Sequence, residues 1–464
     1  MTAAVSTAPD AVGSNGAIVD VAVIGGGVVG CAVARAAVLA GASVVIVESR
    51  NDIGAGTSKA NTAILHTGFD AVPGSVESRL VARGYTLLRE WAPRVGVSIE
   101  PTGAVLVAWD DEQAASLPAL QAKAAANGYH HAEVVDAATV RHLEPHLGPG
   151  VTGGMVVPDE HIIDPWSTPI GLATEAVANG CQVLLNRHVT ELSVGADITT
   201  LTMADGSVVR AHYVVNAAGL HGDTVHRLFG LDGFTVRPRR GELIVFDKQA
   251  RPLLHRTVLP VPTSHTKGVL VAPTVFGNIM LGPTADDIDD RTATGSTHAG
   301  LDGLLAKGRR ILPGLLDEEV TAVYAGLRAA TEHSDYQLSA HAELRYVCLG
   351  GIRSTGLTAS MALGEEALHL LAECGFDPSP PVADVSVQLT PLGEIDERPY
   401  QLGGRIVCHC ERVTADEIAQ ATAGPLAAND IDGLRRRTRA IAGRCQGFYC
   451  FAEICALTGW RADR

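Results

Sequence analysis

The sequence lacks an uninterrupted apolar run long enough to cross a membrane. Its most apolar stretch, residues 21–47, is broken by several glycines and by Arg35, whereas a spanning helix needs about 20 consecutive apolar residues. We therefore expect no transmembrane segment.

Basic residues are scarce. Lys and Arg number 36 against 51 Asp and Glu, which gives a formal net charge of -15. This charge argues against broad nucleic-acid binding, which needs cationic surfaces. Residues 1–17 contain no Lys or Arg, so we expect a disordered lead without a targeting signal. The predicted location is the cytoplasm, and peripheral contact with the inner face of the membrane stays open.

Cysteine use is ordinary, at nine residues in 464, but the distribution is uneven. Without a secretory signal the thiols are expected to stay reduced, which argues against a disulfide framework. Near the C-terminus four cysteines form two close pairs, Cys408 with Cys410 and Cys445 with Cys450. Four thiolates can hold either zinc or an iron-sulfur cluster. The spacing alone leaves both open.

A dinucleotide-binding fingerprint begins after the lead. A strand-like run, residues 19–24, ends in a glycine turn with Gly25, Gly27 and Gly30. In such a unit the first glycine permits the tight turn, the second lets the backbone approach a pyrophosphate, and the third lets the helix pack closely on the strand. A second strand ends in Glu48, whose carboxylate can bind ribose hydroxyls. The acidic residue favours FAD or NAD over NADP.

Three further glycine-containing segments follow in a characteristic order: residues 54–68, 213–220 and 350–358. With the fingerprint, they resemble the D-amino-acid-oxidase-like superfamily of FAD enzymes over about residues 18–370. The closer resemblance is to the branch that holds anaerobic glycerol-3-phosphate dehydrogenase and L-2-hydroxyglutarate oxidase. It implies FAD as cofactor and a set of cofactor-binding positions beyond the fingerprint: Thr57, Ser58, Asn61, Val189, Ala218, Gly219, Gly356, Leu357 and Thr358.

The length allows about three domains, at roughly 150 residues per domain. We expect an α/β fold with a Rossmann-like FAD-binding domain, an antiparallel-sheet substrate domain and a small C-terminal helical module that carries the four paired cysteines. The predicted boundaries are 18–74, 151–220 and 326–376 for the FAD-binding domain, 75–150 and 221–325 for the substrate domain, 377–404 for a linker and 405–464 for the module.

The C-terminal segment from residue 405 to 457 resembles the small [2Fe-2S]-binding module named after bacterioferritin-associated ferredoxin. The amino-acid sequences of residues 406–414 and 443–447 are similar to those of modules fused behind flavin dehydrogenases. The resemblance implies that Cys408, Cys410, Cys445 and Cys450 are cluster ligands, and it favours iron-sulfur over zinc. An arginine run, residues 435–439, could tune the cluster or dock an acidic carrier, or it could be a solvated helix face.

Oxidation of a C-OH group by a flavin needs a base for the hydroxyl proton. His66 is the predicted base, because it follows the FAD loop and its context resembles a His-Ser-Gly step of the same branch, with Thr67 in place of the serine. Covalent attachment of FAD through His66 stays open. Arg328 and Arg353 lie in motifs that the family places around the flavin, and guanidinium groups suit carboxylate or phosphate.

Five other side chains are weaker substrate-binding candidates: Arg239, Arg240, Arg256, Lys267 and Tyr336. For these we favour surface or core positions. The predicted function is an FAD-dependent dehydrogenase that oxidises a C-OH group of a small anionic substrate, such as glycerol 3-phosphate or a related polyol phosphate. Electrons would pass through a [2Fe-2S] cluster to an electron acceptor protein or a quinone-linked partner. The alternatives are a 2-hydroxy-acid or amine dehydrogenase or oxidase, and a non-catalytic electron-transfer subunit.

Overall fold

A computed structural model describes residues 17–262, 268–378, 385–393 and 404–460. Residues 1–16 of the predicted lead, and residues 379–384 and 394–403 of the predicted linker, lie outside the described part. The helices in the described part are α1 (Val28–Leu39), α2 (Val76–Val95), α3 (Asp111–Ala126), α4 (Ala137–Leu143), α5 (Ser167–Ala178), α6 (Gly222–Leu228), α7 (His298–Ile311), α8 (Gly356–Glu373), α9 (Ala415–Ala421), α10 (Ile431–Thr438) and α11 (Phe451–Thr458).

The first large sheet is built on buried, β-branched strands. Its strands are β1 (Ile18–Ile24), β2 (Val44–Val47), β9 (Gln182–Leu184), β10 (Val189–Val194), β11 (Thr199–Met203), β12 (Val208–Asn216), β19 (Gln337–His341) and β20 (Tyr346–Gly350). The order β9-β2-β1-β12-β20 is parallel throughout, while β10, β11 and β19 pair antiparallel at the margins. Strand β2 is buried at all four positions, as expected of a parallel strand covered on both faces.

Four helices cover one face of this sheet, and glycines let them approach closely. A Cβ atom at Gly84 in α2 would lie 2.2 Å from the carbonyl oxygen of Thr358 in α8, and one at Gly364 in α8 would lie 2.7 Å from that of Ala32 in α1. Helix α5 packs on the other side of α1. Helix α2 belongs to the segment predicted as substrate domain but packs on the FAD-binding side. The domain boundaries stay a prediction.

The second large sheet is antiparallel apart from one pair. Its strands are β5 (Ala104–Ala108), β6 (Glu133–Asp136), β7 (Gly153–Val157), β13 (Arg237–Phe246), β14 (Thr257–Pro260), β15 (Leu270–Pro273), β16 (Ile279–Gly282), β17 (Asp286–Asp287) and β18 (Val320–Ala330). Strands β5 and β14 form the parallel pair. Helix α7 packs against β13 and β16, and the core between them includes Ile244, Leu281 and Leu304.

Two small sheets complete the fold. The first consists of β3 (Ile64–Leu65), β4 (Ile99–Glu100) and β8 (His161–Ile163), and the second of β21 (Ile406–Cys408) and β22 (Val413–Thr414). The second sheet joins α9, α10 and α11 in a C-terminal module whose core contains Val413, Leu434 and Ile454. The predicted fold class is confirmed. None of the described helices is long and apolar enough to cross a membrane.

Candidate functional site

A cleft runs along the carboxyl ends of β1, β2 and β12. Such an edge of a parallel sheet is the usual ligand site of this architecture. The predicted cofactor-binding residues that line the cleft are Gly25, Gly27, Glu48, Thr57, Ser58, Asn61, Val189, Ala218, Gly219, Gly356, Leu357 and Thr358. Gly30 lies behind the wall, in the first turn of α1. The structure thus brings together positions that are spread over more than 330 residues of sequence.

The glycine turn has the geometry that a dinucleotide requires. Gly25 has a φ of +110°, and a Cβ atom there would lie 2.5 Å from the carbonyl oxygen of Ala217. A Cβ atom at Gly30 would lie 1.9 Å from the carbonyl oxygen of Gly25, so only glycine lets α1 begin this close to β1. Gly27 precedes α1 and leaves the helix N-terminus open to an anion. The residues therefore fit a bound pyrophosphate.

Polar side chains shape the rest of the cleft. The Glu48 carboxylate is buried and accepts hydrogen bonds from the backbone N-H groups of Gly26 (2.6 Å) and Arg50 (2.7 Å). Ser58 accepts one from the Val28 N-H group at 3.0 Å, which fixes the following loop against α1. Thr57 donates to the carbonyl oxygen of Leu327 at 2.9 Å and so ties that loop to β18. Their direct contacts with FAD stay a prediction.

His66 lines the cleft beside a buried carboxylate that the sequence did not suggest. Its Nδ1 lies 3.0 Å from Oε2 of Glu160, whose side chain is fully buried. The other oxygen of Glu160 accepts hydrogen bonds from the backbone N-H (2.6 Å) and the hydroxyl (2.8 Å) of Thr67. The His66 backbone N-H donates to the hydroxyl of Thr358 at 3.0 Å. The backbone of His66 is therefore held by the first turn of α8, and its imidazole lies against a buried carboxylate.

The two predicted arginines occupy different positions. Arg353 lines the cleft, where it donates to the carbonyl oxygens of His333 (3.3 Å) and Ser334 (2.5 Å). Its guanidinium also lies 3.9 Å from the carboxylate of Glu77. Arg328 is not part of the cleft wall, but its neighbour Ala329 is.

Arg328 is a largely buried cation. Burial, together with the charge of Arg239, lowers the pKa of its guanidinium. Its hydrogen bond is a long one, to the carbonyl oxygen of Thr284 at 3.4 Å. Within the described ranges no carboxylate lies within ion-pair distance of it. A Cβ atom at Gly241 on the neighbouring strand would lie 2.9 Å from both terminal nitrogens, so glycine makes room for the guanidinium.

Four of the five weaker candidates are engaged elsewhere. Three arginines have carboxylate partners: Arg239 pairs with Asp287, Arg240 with Glu242, and Arg256 with Glu144. Tyr336 is a buried core residue whose hydroxyl lies 2.6 Å from that of Thr355. Lys267 lies outside the described residues.

The four C-terminal cysteines converge as two pairs of thiols. Cys408 contacts Cys450 and Cys410 contacts Cys445. The contact with Cys450, with the N-H groups of Ile441 and Glu411, lowers the pKa of Cys408 to about 6. In the part of the chain that the structure describes, no three His, Cys, Asp or Glu side chains surround one point as ligands of a single metal ion. Two pairs suit a two-iron cluster with four cysteine ligands.

Close packing around the thiols also requires a glycine. A Cβ atom at Gly443 would lie 2.3 Å from the Cβ atom of Cys410, so any side chain there would displace a predicted ligand. Gly447, between Cys445 and Cys450, has a φ of +86°, which favours glycine. These constraints explain why the second cysteine pair is set in a glycine-containing loop.

Residues 20–370 match the family model described as FAD dependent oxidoreductase, and residues 406–457 match that of the BFD-like [2Fe-2S] binding domain. The chain belongs to the FAD-dependent oxidoreductase family. Its cofactors are FAD and a [2Fe-2S] cluster.

Relatives of this FAD-dependent oxidoreductase extend over both parts of the chain. Glycerol 3-phosphate dehydrogenase of Caloramator mitchellensis is 31% identical over 94% of this chain and 93% of its own length. An anaerobic glycerol-3-phosphate dehydrogenase chain of Escherichia coli is 25% identical over 94% of this chain and 87% of its own. FAD-bound L-alpha-glycerophosphate oxidase from Mycoplasma pneumoniae superposes with a TM-score of 0.76 at 28% identity, over 80% of this chain and 99% of its own.

The arginine run joins the [2Fe-2S] module to the rest of this FAD-dependent oxidoreductase. Arg436 and Arg437 bind the buried carboxylate of Asp52, which follows β2. Arg439 binds Glu411 at 2.8 Å and lies over the ring of Phe276. Each of these three arginines is held within an intramolecular interface. The predictions of a solvated helix face and of a carrier-docking patch are therefore wrong for them.

The substrate-domain side of the same interface also uses charge. Lys248, at the end of β13, donates to Glu411 at 2.9 Å. Arg444, beside the predicted ligand Cys445, binds Glu319. The module thus contacts both large parts of the oxidoreductase. Sequence reasoning missed Asp52, Glu411 and Glu160, because each acts through partners that are distant in the chain.

Proposed function

We propose that this oxidoreductase oxidises the C-OH group of a small phosphate ester, glycerol 3-phosphate or a related polyol phosphate, and passes the electrons through its [2Fe-2S] cluster to an acceptor. The observation that carries the proposal is the combination, in one chain, of an FAD cleft containing a His-carboxylate pair with a cationic site close by. The relatives named above support the choice of substrate.

His66 is the proposed base. A general base must be oriented toward the proton that it removes, and the hydrogen bond from Nδ1 to Glu160 provides that orientation. The Glu160 carboxylate also stabilises the imidazolium that forms when His66 takes the hydroxyl proton. FAD, when bound, accepts the hydride from the same carbon, so the alcohol becomes a carbonyl group.

Arg328 is the proposed anchor for the phosphate, with Arg353 as a second clamp. Among the residues that the structure describes, Arg328 has no carboxylate partner, and a largely buried guanidinium attracts an anion more strongly than an exposed one, because water screens it less. The planar fork of arginine suits two phosphate oxygens at once. Arg353 lies three residues before the start of α8 and lines the same cleft as Thr358.

Cys408, Cys410, Cys445 and Cys450 are the proposed cluster ligands. The acceptor of the electrons is an electron acceptor protein or a quinone-linked partner. A cytoplasmic location, with peripheral contact at the membrane, remains part of the proposal. The fused cluster favours a dehydrogenase over an enzyme that reduces O2, since it provides a one-electron exit route from the flavin site.

The test is anaerobic bleaching of the flavin absorbance in the purified holoprotein. We expect glycerol 3-phosphate to bleach it, and glycerol, L-2-hydroxyglutarate and glycine at the same concentration to leave it unchanged. Bleaching by L-2-hydroxyglutarate instead would contradict the phosphate assignment and move the protein to the 2-hydroxy-acid dehydrogenases. Absence of bleaching by every compound would favour a non-catalytic electron-transfer subunit.

A further inference from the structure

A second cavity, of about 720 Å³, lies where the FAD loop, the substrate sheet and the C-terminal module meet. We name it the junction cavity; it is bounded by residues 55–61, residues 320–327 of β18, and Arg435, Arg439 and Gln446 of the module. It adjoins the FAD cleft through shared loop residues. None of His66, Arg328 and Arg353 lines it, so it is separate from the proposed substrate site.

The wall of the junction cavity is largely apolar and aromatic. Trp166 and Phe276 line the cavity with their ring centroids 5.2 Å apart. Met280 and Tyr324 also line it. Val320, also on the wall, remains 50% exposed, so the opening to solvent is apolar as well. A volume of this size and character is typical of a site for a small organic molecule.

The polar groups of the cavity offer hydrogen-bond donors but little free charge. Most of the cations on the wall are paired: Lys59 with Asp432 at 2.7 Å, Arg436 with Asp52, Arg439 with Glu411 at 2.8 Å, and Arg291 with Asp223 at 2.7 Å. Arg435 pairs more loosely, at 3.5 Å from Asp432, and its side chain is 37% exposed, so its terminal nitrogens are accessible to an occupant. This combination suits a neutral occupant that carries hydrogen-bond acceptors, more than an anion.

The junction cavity also touches both redox sites. Asn61 and Ala63 line it together with the FAD cleft, and Gln446 on its wall follows the predicted cluster ligand Cys445. An occupant would therefore lie next to the flavin loop and next to the cluster. A flat, apolar molecule with carbonyl oxygens and a redox function satisfies each of these observations.

We propose that the junction cavity is the site of a quinone electron acceptor. The inference rests on the proposed function, because the electrons come from the substrate. Oxidation of C-OH to C=O releases two electrons and two protons, and the quinone takes up both pairs to become a hydroquinone. Its rings would lie against Trp166 and Phe276, and one of its carbonyl oxygens would accept a hydrogen bond from a terminal nitrogen of Arg435.

The test uses menadione as the quinone and fills the cavity by mutation. Ala322 lies on the same face of β18 as Tyr324, because side chains alternate along a strand, and it lines the cavity. Ala322→Trp should block the site. Val134→Trp is the matched control, since Val134 is 36% exposed on β6, the strand at the opposite margin of the same sheet. Arg435→Met serves as a second variant that leaves β18 intact.

Two measurements keep the result independent of the substrate. Calorimetry on the oxidised holoprotein gives the affinity for menadione, and stopped-flow mixing of dithionite-reduced holoprotein with menadione gives the reoxidation rate. We expect Ala322→Trp to lower both at least tenfold and Val134→Trp to change neither. Arg435→Met should weaken binding about tenfold, as expected for a hydrogen bond from a charged donor. Reoxidation by ferricyanide should be unchanged in all variants.

Equal affinity and equal reoxidation rates in Ala322→Trp and Val134→Trp would overturn the proposal. So would a wild-type protein that binds no menadione. If Ala322→Trp does not fold, unchanged binding in Arg435→Met would overturn it. Because dithionite supplies the electrons, a failure here is distinguishable from a failure of the proposed substrate, which the flavin-bleaching test addresses.

Discussion

At the scale of single residues, the Glu160 carboxylate determines how His66 can act. It is fully buried and binds both the imidazole and Thr67. Glu160→Gln keeps the shape of the side chain but removes the charge that holds Nδ1. We expect kcat to fall roughly 100-fold with little change in KM, since general base catalysis contributes 10²- to 10⁴-fold. Steady-state kinetics with glycerol 3-phosphate checks this.

Two outcomes for Glu160→Gln are informative. If the carboxylate served only to hold the loop, kcat would stay within a few-fold of the wild type while the thermal unfolding temperature fell. That outcome would contradict the positioning role. His66→Asn should lose at least as much activity as Glu160→Gln, because it removes the base itself.

Arg328 is largely buried and has no carboxylate partner among the described residues, which predicts a trade-off between activity and stability. Arg328→Met should lower kcat/KM for glycerol 3-phosphate about 100-fold, because a charge-assisted hydrogen bond contributes up to about 3 kcal/mol. The same change should raise the free energy of unfolding by about 1 kcal/mol, because it removes an uncompensated buried charge. Kinetics and thermal unfolding measure the two effects.

Arg83→Met is the control for Arg328→Met. Arg83 forms an exposed pair with Glu365 on the surface, so both activity and stability should change little. A loss of stability in Arg328→Met together with full activity would show that Arg328 is a structural residue and not a phosphate anchor.

The residues of the dinucleotide fingerprint were predictable because they are close together in the sequence. Gly25, Gly27 and Glu48 belong to a single local unit, so their spacing alone defines the chemistry. Glu160 belongs to no such unit, because it reaches His66 only through the pairing of β3 with β8. The sequence therefore predicted the base but not the carboxylate behind it.

At the scale of elements, the position of the four paired cysteines in the C-terminal module predicts that the cluster can be removed without loss of FAD. Cys408→Ser should abolish the visible absorbance and iron content of the cluster while FAD binding and flavin bleaching by substrate remain. Cys455→Ser in α11 is the control, because Cys455 is outside the predicted ligand set and should leave the cluster intact. Iron analysis and absorbance spectra measure the difference. Full iron content in Cys408→Ser would exclude Cys408 as a ligand.

The elements themselves were largely predictable. The β-branched run before Gly25 and the small residues after Gly30 specify a strand, a turn and a helix by local preference. The packing of α2 on α8 was not predictable, since it depends on Gly84 meeting a backbone more than 270 residues away. Local composition predicts which element forms, and tertiary contacts decide what it packs against.

At the scale of the whole molecule, Asp52 is the main link between the FAD-binding part and the module. Although burial raises the pKa of this carboxyl, Arg437 and Arg436 lower it more, so the net shift is downward. Asp52→Ala removes the closest carboxylate of two buried guanidinium groups. We expect it to destabilise the docked module by about 3 kcal/mol, the usual cost of breaking a buried pair. Urea unfolding monitored by cluster absorbance measures it.

Glu365→Gln is the matched control, because it breaks an exposed pair and should cost well under 1 kcal/mol. The lowered pKa of Asp52 also sets a pH dependence. Its stabilisation is complete above the unfolded pKa of about 4 and is lost as the pH falls through the lower folded value. Asp52→Ala should lack that acid-dependent component. An unchanged acid transition in the variant would contradict the assignment.

The docking of the module could not be read from the sequence. The arginine run suggested a cationic surface, because its partners Asp52 and Glu411 lie outside it in sequence and carry no signal of their own. Only the fold shows that the charges are neutralised inside the chain. This arrangement fixes the cluster site relative to the FAD cleft, as an internal relay requires.

The central claim is that electrons from one substrate enter at FAD and reach the cluster within the same chain. Anaerobic titration of the holoprotein with glycerol 3-phosphate, followed by flavin absorbance and electron paramagnetic resonance together, tests it most directly. The account predicts loss of flavin absorbance and appearance of the reduced [2Fe-2S] signal, with the signal absent in Cys408→Ser. A flavin that bleaches while the cluster stays oxidised would contradict it.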